Sequence, residues 1–132
     1  MAATIPERGR EILEKKSVGN LATLMSDGSP HVTPVWVDID GEAILVNTLD
    51  GRLKPRNIRR DQRVAISVPD PDNPTVALIA RGTAELTTEG AREHADALAK
   101  KYLDEDVFPY HQPGDVRVLI RIQPERVFIY GA

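Results

Sequence analysis

Cysteine is absent from the 132-residue chain, and with it go disulfides, thiolate nucleophiles and any zinc site built on sulfur. Aromatic residues make up only 5% of the sequence, with one tryptophan, which leaves few platforms on which nucleobases could stack. No run of apolar residues approaches the roughly 18 that a membrane-crossing helix requires. The opening MAATIPERGREILEKK has no apolar stretch of the kind a secretory leader carries. These shortages predict a soluble cytoplasmic protein with neither a membrane nor a nucleic acid as partner.

Catalytic signatures are equally scarce. G-x-S-x-G, H-E-x-x-H, the Walker loop and G-x-G-x-x-G do not occur. The three histidines fall on a predicted strand (His31), a predicted helix (His94) and a predicted loop (His111), so no metal centre is expected. The stretch LDEDVFPYHQPGD reads as a solvated loop. A chain without such groups can still be an enzyme if a bound cofactor supplies the reactivity and the protein supplies orientation.

What is present is the composition of a globular domain: 41% hydrophobic and 28% charged, with ten prolines and nine glycines for turns. One domain over residues 1–132 is expected, large enough to close a single core. ERGREILEKK after Pro6 predicts a short helix with Ile5, Ile12 and Leu13 on one face. VGNLATLMS, HVTPVWVDI and EAILVNT, separated by DGSP and DG, predict three strands in a meander. VAISV, VALIARGTAEL, VRVLIRI and VFIY predict further strands, with PDPDNPT a proline-rich loop between the first two. Val76, Leu78, Ala80, Gly82, Ala84 and Leu86 form one inner face, with Gly82 marking a bend or close approach. Val116, Val118, Ile120 and Ile122 form another. TTEGAREHADALAKKYL predicts a helix capped by Thr87 or Thr88, with Lys100 and Lys101 complementing its C-terminal dipole. The expectation is a mainly β fold, a small antiparallel barrel of about six strands with two or three short helices.

Two features demand a functional account. In HVTPVWVDI, Val32, Pro34 and Trp36 alternate with Val35, Val37 and Ile39, so both faces of one strand are apolar and both must be covered. Pro34 lacks an amide hydrogen, which places that strand at an edge or bulge. The second feature is GRLKPRNIRRDQR, in which Arg52, Lys54, Arg56, Arg59, Arg60 and Arg63 face only Asp61, although the whole chain carries a net charge of -3. If Pro55 opens a helix, the free amides of Arg56 and Asn57 lie in a first turn that favours anions. A phosphate is one occupant of such a site. A solvated helix face, with the arginines paired to acidic neighbours, is the other reading of the same spacing.

The stretch NLATLMSDGSPHVTPVWVDIDGEAILVNTLDGRLKPRNIRRDQRVAISV resembles the split β-barrel flavin and deazaflavin oxidoreductases typified by pyridoxamine 5'-phosphate oxidase, and most nearly the actinobacterial branch that uses coenzyme F-420. The resemblance spans nearly the whole chain. It implies a six-stranded antiparallel split β-barrel of the FMN-binding type and a homodimer with a cofactor between the two barrels. The residues it assigns to cofactor binding are Pro34, Val35 and Trp36 along the ring, Val46 and Thr48 with Asn47 on the bordering strand, and Arg52, Lys54 and Asn57 at the phosphate. No catalytic side chain is assigned. Gln62 stands where such proteins commonly have proline after R-R-D, which changes a turn before the next strand and leaves the implied site intact.

The expected activity is an oxidoreductase that delivers a hydride from reduced coenzyme F-420 to an activated C=C bond of a small molecule such as an enone, a quinone or an unsaturated lactone. An FMN-dependent oxidase or reductase fits the same groove, since a terminal phosphate would use Arg52 and Lys54 equally well. A cofactor carrier without catalysis is the remaining alternative within the fold. A nucleic-acid-binding barrel would use the same arginines, but the acidic total and the few aromatics argue against it.

Overall fold

The computed structural model describes residues 2–131. Its elements in chain order are α1 (Glu7–Glu14), β1 (Val18–Leu24), β2 (Pro30–Trp36), β3 (Asp38–Asp40), β4 (Ala43–Leu49), α2 (Leu53–Arg60), β5 (Arg63–Asp70), β6 (Asn73–Thr87), α3 (Ala91–Leu103) and β7 (Arg117–Tyr130). The strands form one antiparallel sheet in the order β2-β1-β5-β6-β7-β4-β3. Strands β2 and β3 therefore sit at opposite margins, yet a single residue, Val37, separates them in the chain. A sheet whose two margins are joined by one residue must curl back on itself, which gives the split-barrel shape.

The predicted mainly β barrel is present, with differences of detail that have physical causes. HVTPVWVDI is not one strand: it breaks at Val37, whose amide and carbonyl bond to side chains from α3 instead of a ladder. The three-strand meander is therefore a β1–β2 hairpin and a separate β3–β4 hairpin. VRVLIRI and VFIY are one strand, because β6 follows β7 through a register shift at Arg81/Gly82 that leaves Glu125 unpartnered next to Pro124. PDPDNPT is mostly strand, leaving only a tight turn between β5 and β6. Seven strands result where about six were expected.

Alternation places Leu21, Ile44, Val46, Ile66, Val68, Leu78, Ala84, Ile120 and Ile122 in one core. On the predicted inner face of β6, Val76 through Ala84 are buried and Leu86 is partly buried, whereas Val116 precedes β7 and is 49% exposed. Helix α1 adds Ile12 and Leu13 to that core, each worth roughly 1.5–3 kcal/mol on full burial. Its polar side is tied to the β5–β6 turn: Arg8 donates to Asp70 at 2.7 Å and Lys15 to the same carboxylate at 3.0 Å. Helix α3 has Gly90 as its N-cap, with φ 74° and no side-chain cap. Thr87 instead accepts from the Glu89 amide at 3.1 Å in the turn before it. Lys100 and Lys101 do end α3, but Lys101 reaches away from its own helix to the carbonyls of Leu13 and Val37.

Candidate functional site

The site is organised by the margin where β2 and β4 approach without pairing. Strand β3 covers only Ala43–Leu45 of β4, so the edge from Val46 to Leu49 looks across the seam toward β2. Tyr102 fastens the seam at Val37: its hydroxyl donates to the Ser17 carbonyl at 2.5 Å and accepts from the Val37 amide at 2.9 Å. Burial raises its pKa above the ordinary phenol value, which keeps that donor protonated.

Beyond Leu49 the chain turns into α2. The helix starts at Leu53 with Arg52 as N-cap, two residues earlier than a start at Pro55 would give. Pro55 is tolerated in the first turn because amides there have no partner within the helix. The consequence is a correction: the Arg56 amide bonds to the Arg52 carbonyl at 3.4 Å, and the free first-turn amides are those of Leu53 and Lys54.

The six cations of the basic segment divide into two groups. Arg59 pairs with Asp50 at 2.9 Å and Arg63 with Asp61 at 2.7 Å, the latter pulling Asp61 down to about 2. Arg60 bonds the Leu24 carbonyl at 3.0 Å and the Asn57 side chain at 2.7 Å. These three are engaged within the chain. Arg52, Lys54 and Arg56 have no carboxylate partner among the described residues. Lys54 is half-buried and donates to Thr33 Oγ1 of β2 at 3.1 Å, bridging the seam. Burial first, and the charge of Arg52 second, hold its ammonium below the usual lysine value. Cations crowded together without counter-charge form a site that gains from an anion.

On the α3 side of β2 lies a recess of about 410 Å³ lined by Val18, Pro34, Val35, Trp36, Phe108, Tyr110 and Arg117. Trp36 stacks on Tyr102 with centroids 4.8 Å apart and planes 3° from parallel, and Phe108 meets it edge-on at 6.3 Å. Phe108 in turn lies under the Arg117 guanidinium at 5.0 Å. A flat conjugated molecule matches such a surface. A larger hollow of about 540 Å³ lies between α2 and the end of β6, lined by Ile58, Arg59, Gln62, Leu86 and Thr87 among others. Its one cation, Arg59, is already paired with Asp50, so the recess beside Trp36 is the better ligand site.

Residues 5–131 match the family described as pyridoxamine 5'-phosphate oxidase. The chain belongs to that family. It is 32% identical over 128 residues to the 5a,11a-dehydrotetracycline/5a,11a-dehydrooxytetracycline reductase of Streptomyces rimosus subsp. rimosus, covering 90% of this chain and 78% of that protein. A solved structure described as an F420 reductase superposes with a TM-score of 0.80 at 34% identity, covering 94% of this chain and 98% of that one. A putative pyridoxamine 5'-phosphate oxidase from Listeria innocua does so with a TM-score of 0.69 at 26% identity, over 90% and 92% of the two chains.

Within this pyridoxamine 5'-phosphate oxidase family member, the residues assigned from sequence gather around the seam, though not all present side chains to it. Pro34, Val35 and Trp36 line the recess; Lys54 lies outside that lining but reaches Thr33, next to Pro34, and Arg52 is near enough to act on both Lys54 and Arg117. Val46 and Thr48 turn their side chains into the core, at 0% and 4% exposure, so what they offer a ligand is backbone. Asn57 is fully buried; its amide donates to Thr23 Oγ1 at 3.0 Å and its oxygen accepts from Arg60. The bond to Thr23 fastens α2 to β1. Asn57→Ala is expected to destabilise the free protein by about 1–3 kcal/mol through the orphaned Thr23 hydroxyl and the cavity left behind, read as a lower urea midpoint. An unchanged midpoint would remove Asn57 from the framework.

Sequence reasoning missed Phe108, Tyr110 and Arg117. The first two lie in the segment read as a solvated loop, where the Phe108 amide is in fact anchored on Asp96 at 2.9 Å. The signal available was the pairing of two aromatics in a chain with so few.

Proposed function

We propose that the protein is an oxidoreductase dependent on coenzyme F-420, adding a hydride from the reduced deazaflavin to an activated C=C bond of an enone, quinone or unsaturated lactone. The observation that carries the reading is the juxtaposition of an aromatic recess at Trp36 with the unpaired cations Arg52 and Lys54, which suits a flat ring joined to an anionic tail. The F420 reductase at 34% identity and the dehydrotetracycline reductase at 32% support it.

The deazaflavin would supply the hydride, and a proton from solvent would complete the addition. The chain's own part is positional. Arg52, Lys54 and the Leu53 and Lys54 amides would hold the phosphate, Trp36 would stack the planar partner with Phe108 as a wall at right angles to it, and Pro34 and Val35 would exclude water. Transfer then depends on distance and alignment. Exposed Val18 and Val32, with relative exposures of 49% and 57%, support a homodimer in which a second copy covers the outer side of β2.

Titrating the apo-protein with coenzyme F-420 and, separately, with FMN distinguishes the two cofactors by fluorescence. Micromolar binding of the deazaflavin with turnover of an enone is the expected result. Tight FMN binding with none for the deazaflavin would replace this proposal with a flavin oxidase or reductase.

A further inference from the structure

Arg117 lies at the start of β7, opposite Leu49 of β4, and its surroundings are ordered by a chain of directed hydrogen bonds. Arg117 Nε donates to Asn47 Oδ1 at 2.8 Å. The Asn47 amide donates to the Ala91 carbonyl at 2.7 Å and lies 3.1 Å from His94 Nδ1. With the amide donating, Nδ1 must accept, so the imidazole proton sits on Nε2, 3.1 Å from Asp38 Oδ2. Donors therefore point one way along the chain, from the guanidinium on β7 through β4 and α3 to a carboxylate on β3. Burial alone would raise Asp38, but the His94 bond and the Ile39 amide outweigh it and hold the carboxyl below its ordinary value, which keeps an ionised acceptor at the far end.

This relay uses only Nε of Arg117. Neither Nη has a hydrogen-bond or carboxylate partner among the described residues. The guanidinium lines the recess beside Trp36, over the Phe108 ring, and is the only charged group in that lining. Burial and the charge of Arg52 both disfavour its ionisation, so an unaccompanied cation is held there at a cost.

We propose that Arg117 binds an anionic oxygen carried by the planar conjugated molecule in the recess, and that Asn47, with His94 and Asp38 behind it, is the positioning group that aims the two free Nη donors at that oxygen. The inference rests on the functional reading above and narrows its ligand class: a conjugated system bearing an enolate, phenolate or carboxylate oxygen in plane with its ring. Such an oxygen could belong to the cofactor's ring or to the acceptor. A guanidinium fork suits either, because it offers two parallel donors to an oxyanion.

The chain's single tryptophan is Trp36, so quenching of its fluorescence reports on this recess. No cysteine is present to add to quinones. The probes are 2-hydroxy-1,4-naphthoquinone, an enolate at neutral pH, and 2-methoxy-1,4-naphthoquinone, its uncharged methyl ether. The wild-type protein is expected to bind the enolate about tenfold more tightly than the ether. Arg117→Met should abolish the preference, read as the ratio of the two affinities within the variant, and Arg117→Lys should restore only part of it. Asn47→Ala keeps the charge but frees it, and should reduce the preference several-fold; a merely structural Asn47 would weaken both probes alike. Coenzyme F-420 titrated into wild type and Arg117→Met separates the sources: weakened binding in the variant assigns the oxygen to the cofactor, and unchanged binding assigns it to the acceptor. Equal affinity of the two naphthoquinones for wild type, or a preference surviving in Arg117→Met, overturns the inference. Failure of wild type to bind the deazaflavin at all would overturn the functional reading instead.

Discussion

Replacing Lys54 by alanine is expected to weaken binding of the phosphorylated cofactor about tenfold or more, and removing Arg52 as well to weaken it about a hundredfold. Thermal stability should scarcely change. The bond from Lys54 to Thr33 is lost, but so is the cost of keeping an ammonium half-buried beside another cation, and the two nearly offset within about 1 kcal/mol. The effect carries a pH signature. Burial and Arg52 hold the Lys54 ammonium below the ordinary lysine value, and a bound phosphate would lift it again. Affinity is therefore full below that depressed value and falls as pH rises through it, before exposed lysines titrate. Stability of the free protein runs the other way: the unfolded chain binds that proton more tightly, so stability grows as pH rises through the same window. Isothermal titration of wild type and both variants across alkaline pH checks each part. Unaltered affinity in the double variant would move the phosphate elsewhere.

The second large effect concerns the frame. Gly82→Ala is expected to destabilise the protein by at least ~3 kcal/mol, a substantial share of the 5–15 kcal/mol typical of a domain. A Cβ at Gly82 would lie 2.1 Å from the Gln123 carbonyl oxygen, with backbone rather than a flexible side chain in the way. The register shift between β6 and β7 falls at this point, so relief requires two long strands to separate. A fall in Tm of roughly 10 °C or more would be seen by circular dichroism. Gly28→Ala is the control: nothing lies within 4 Å of a Cβ there, and only the positive φ of 87° opposes it. Similar Tm values for the two variants would dismiss the close approach as the cause.

These predictions draw on features of unequal visibility in the sequence. The period-two faces of β6 and of the first half of β7 were legible because burial of alternate residues is a local property. Pro34 correctly announced an edge strand. The break at Val37 was not visible, since what ends β2 is a side chain from α3, more than sixty residues later in the chain. In the basic segment the composition was plain but its division was not: Arg59 is taken by Asp50 and Arg63 by Asp61, and only tertiary placement leaves Arg52 and Lys54 unpaired. Asn57 has the residue type of a ligand contact, yet it faces Thr23. Arg117 stood in a strand of alternating apolar and charged residues and looked like any outward-facing arginine, because the asparagine that orients it is seventy positions away.

The single-residue passage at Val37 also sets the direction of the cleft. Tyr102 and Lys101 hold the chain at Val37, where β2 passes into β3, and Lys54 of α2 reaches β2 four residues back, at Thr33. The proposed cofactor would therefore meet the aromatic cluster of Trp36, Tyr102 and Phe108 toward Val37 and the Lys54 ammonium toward Thr33, so Lys54 would bear on release as well as on binding.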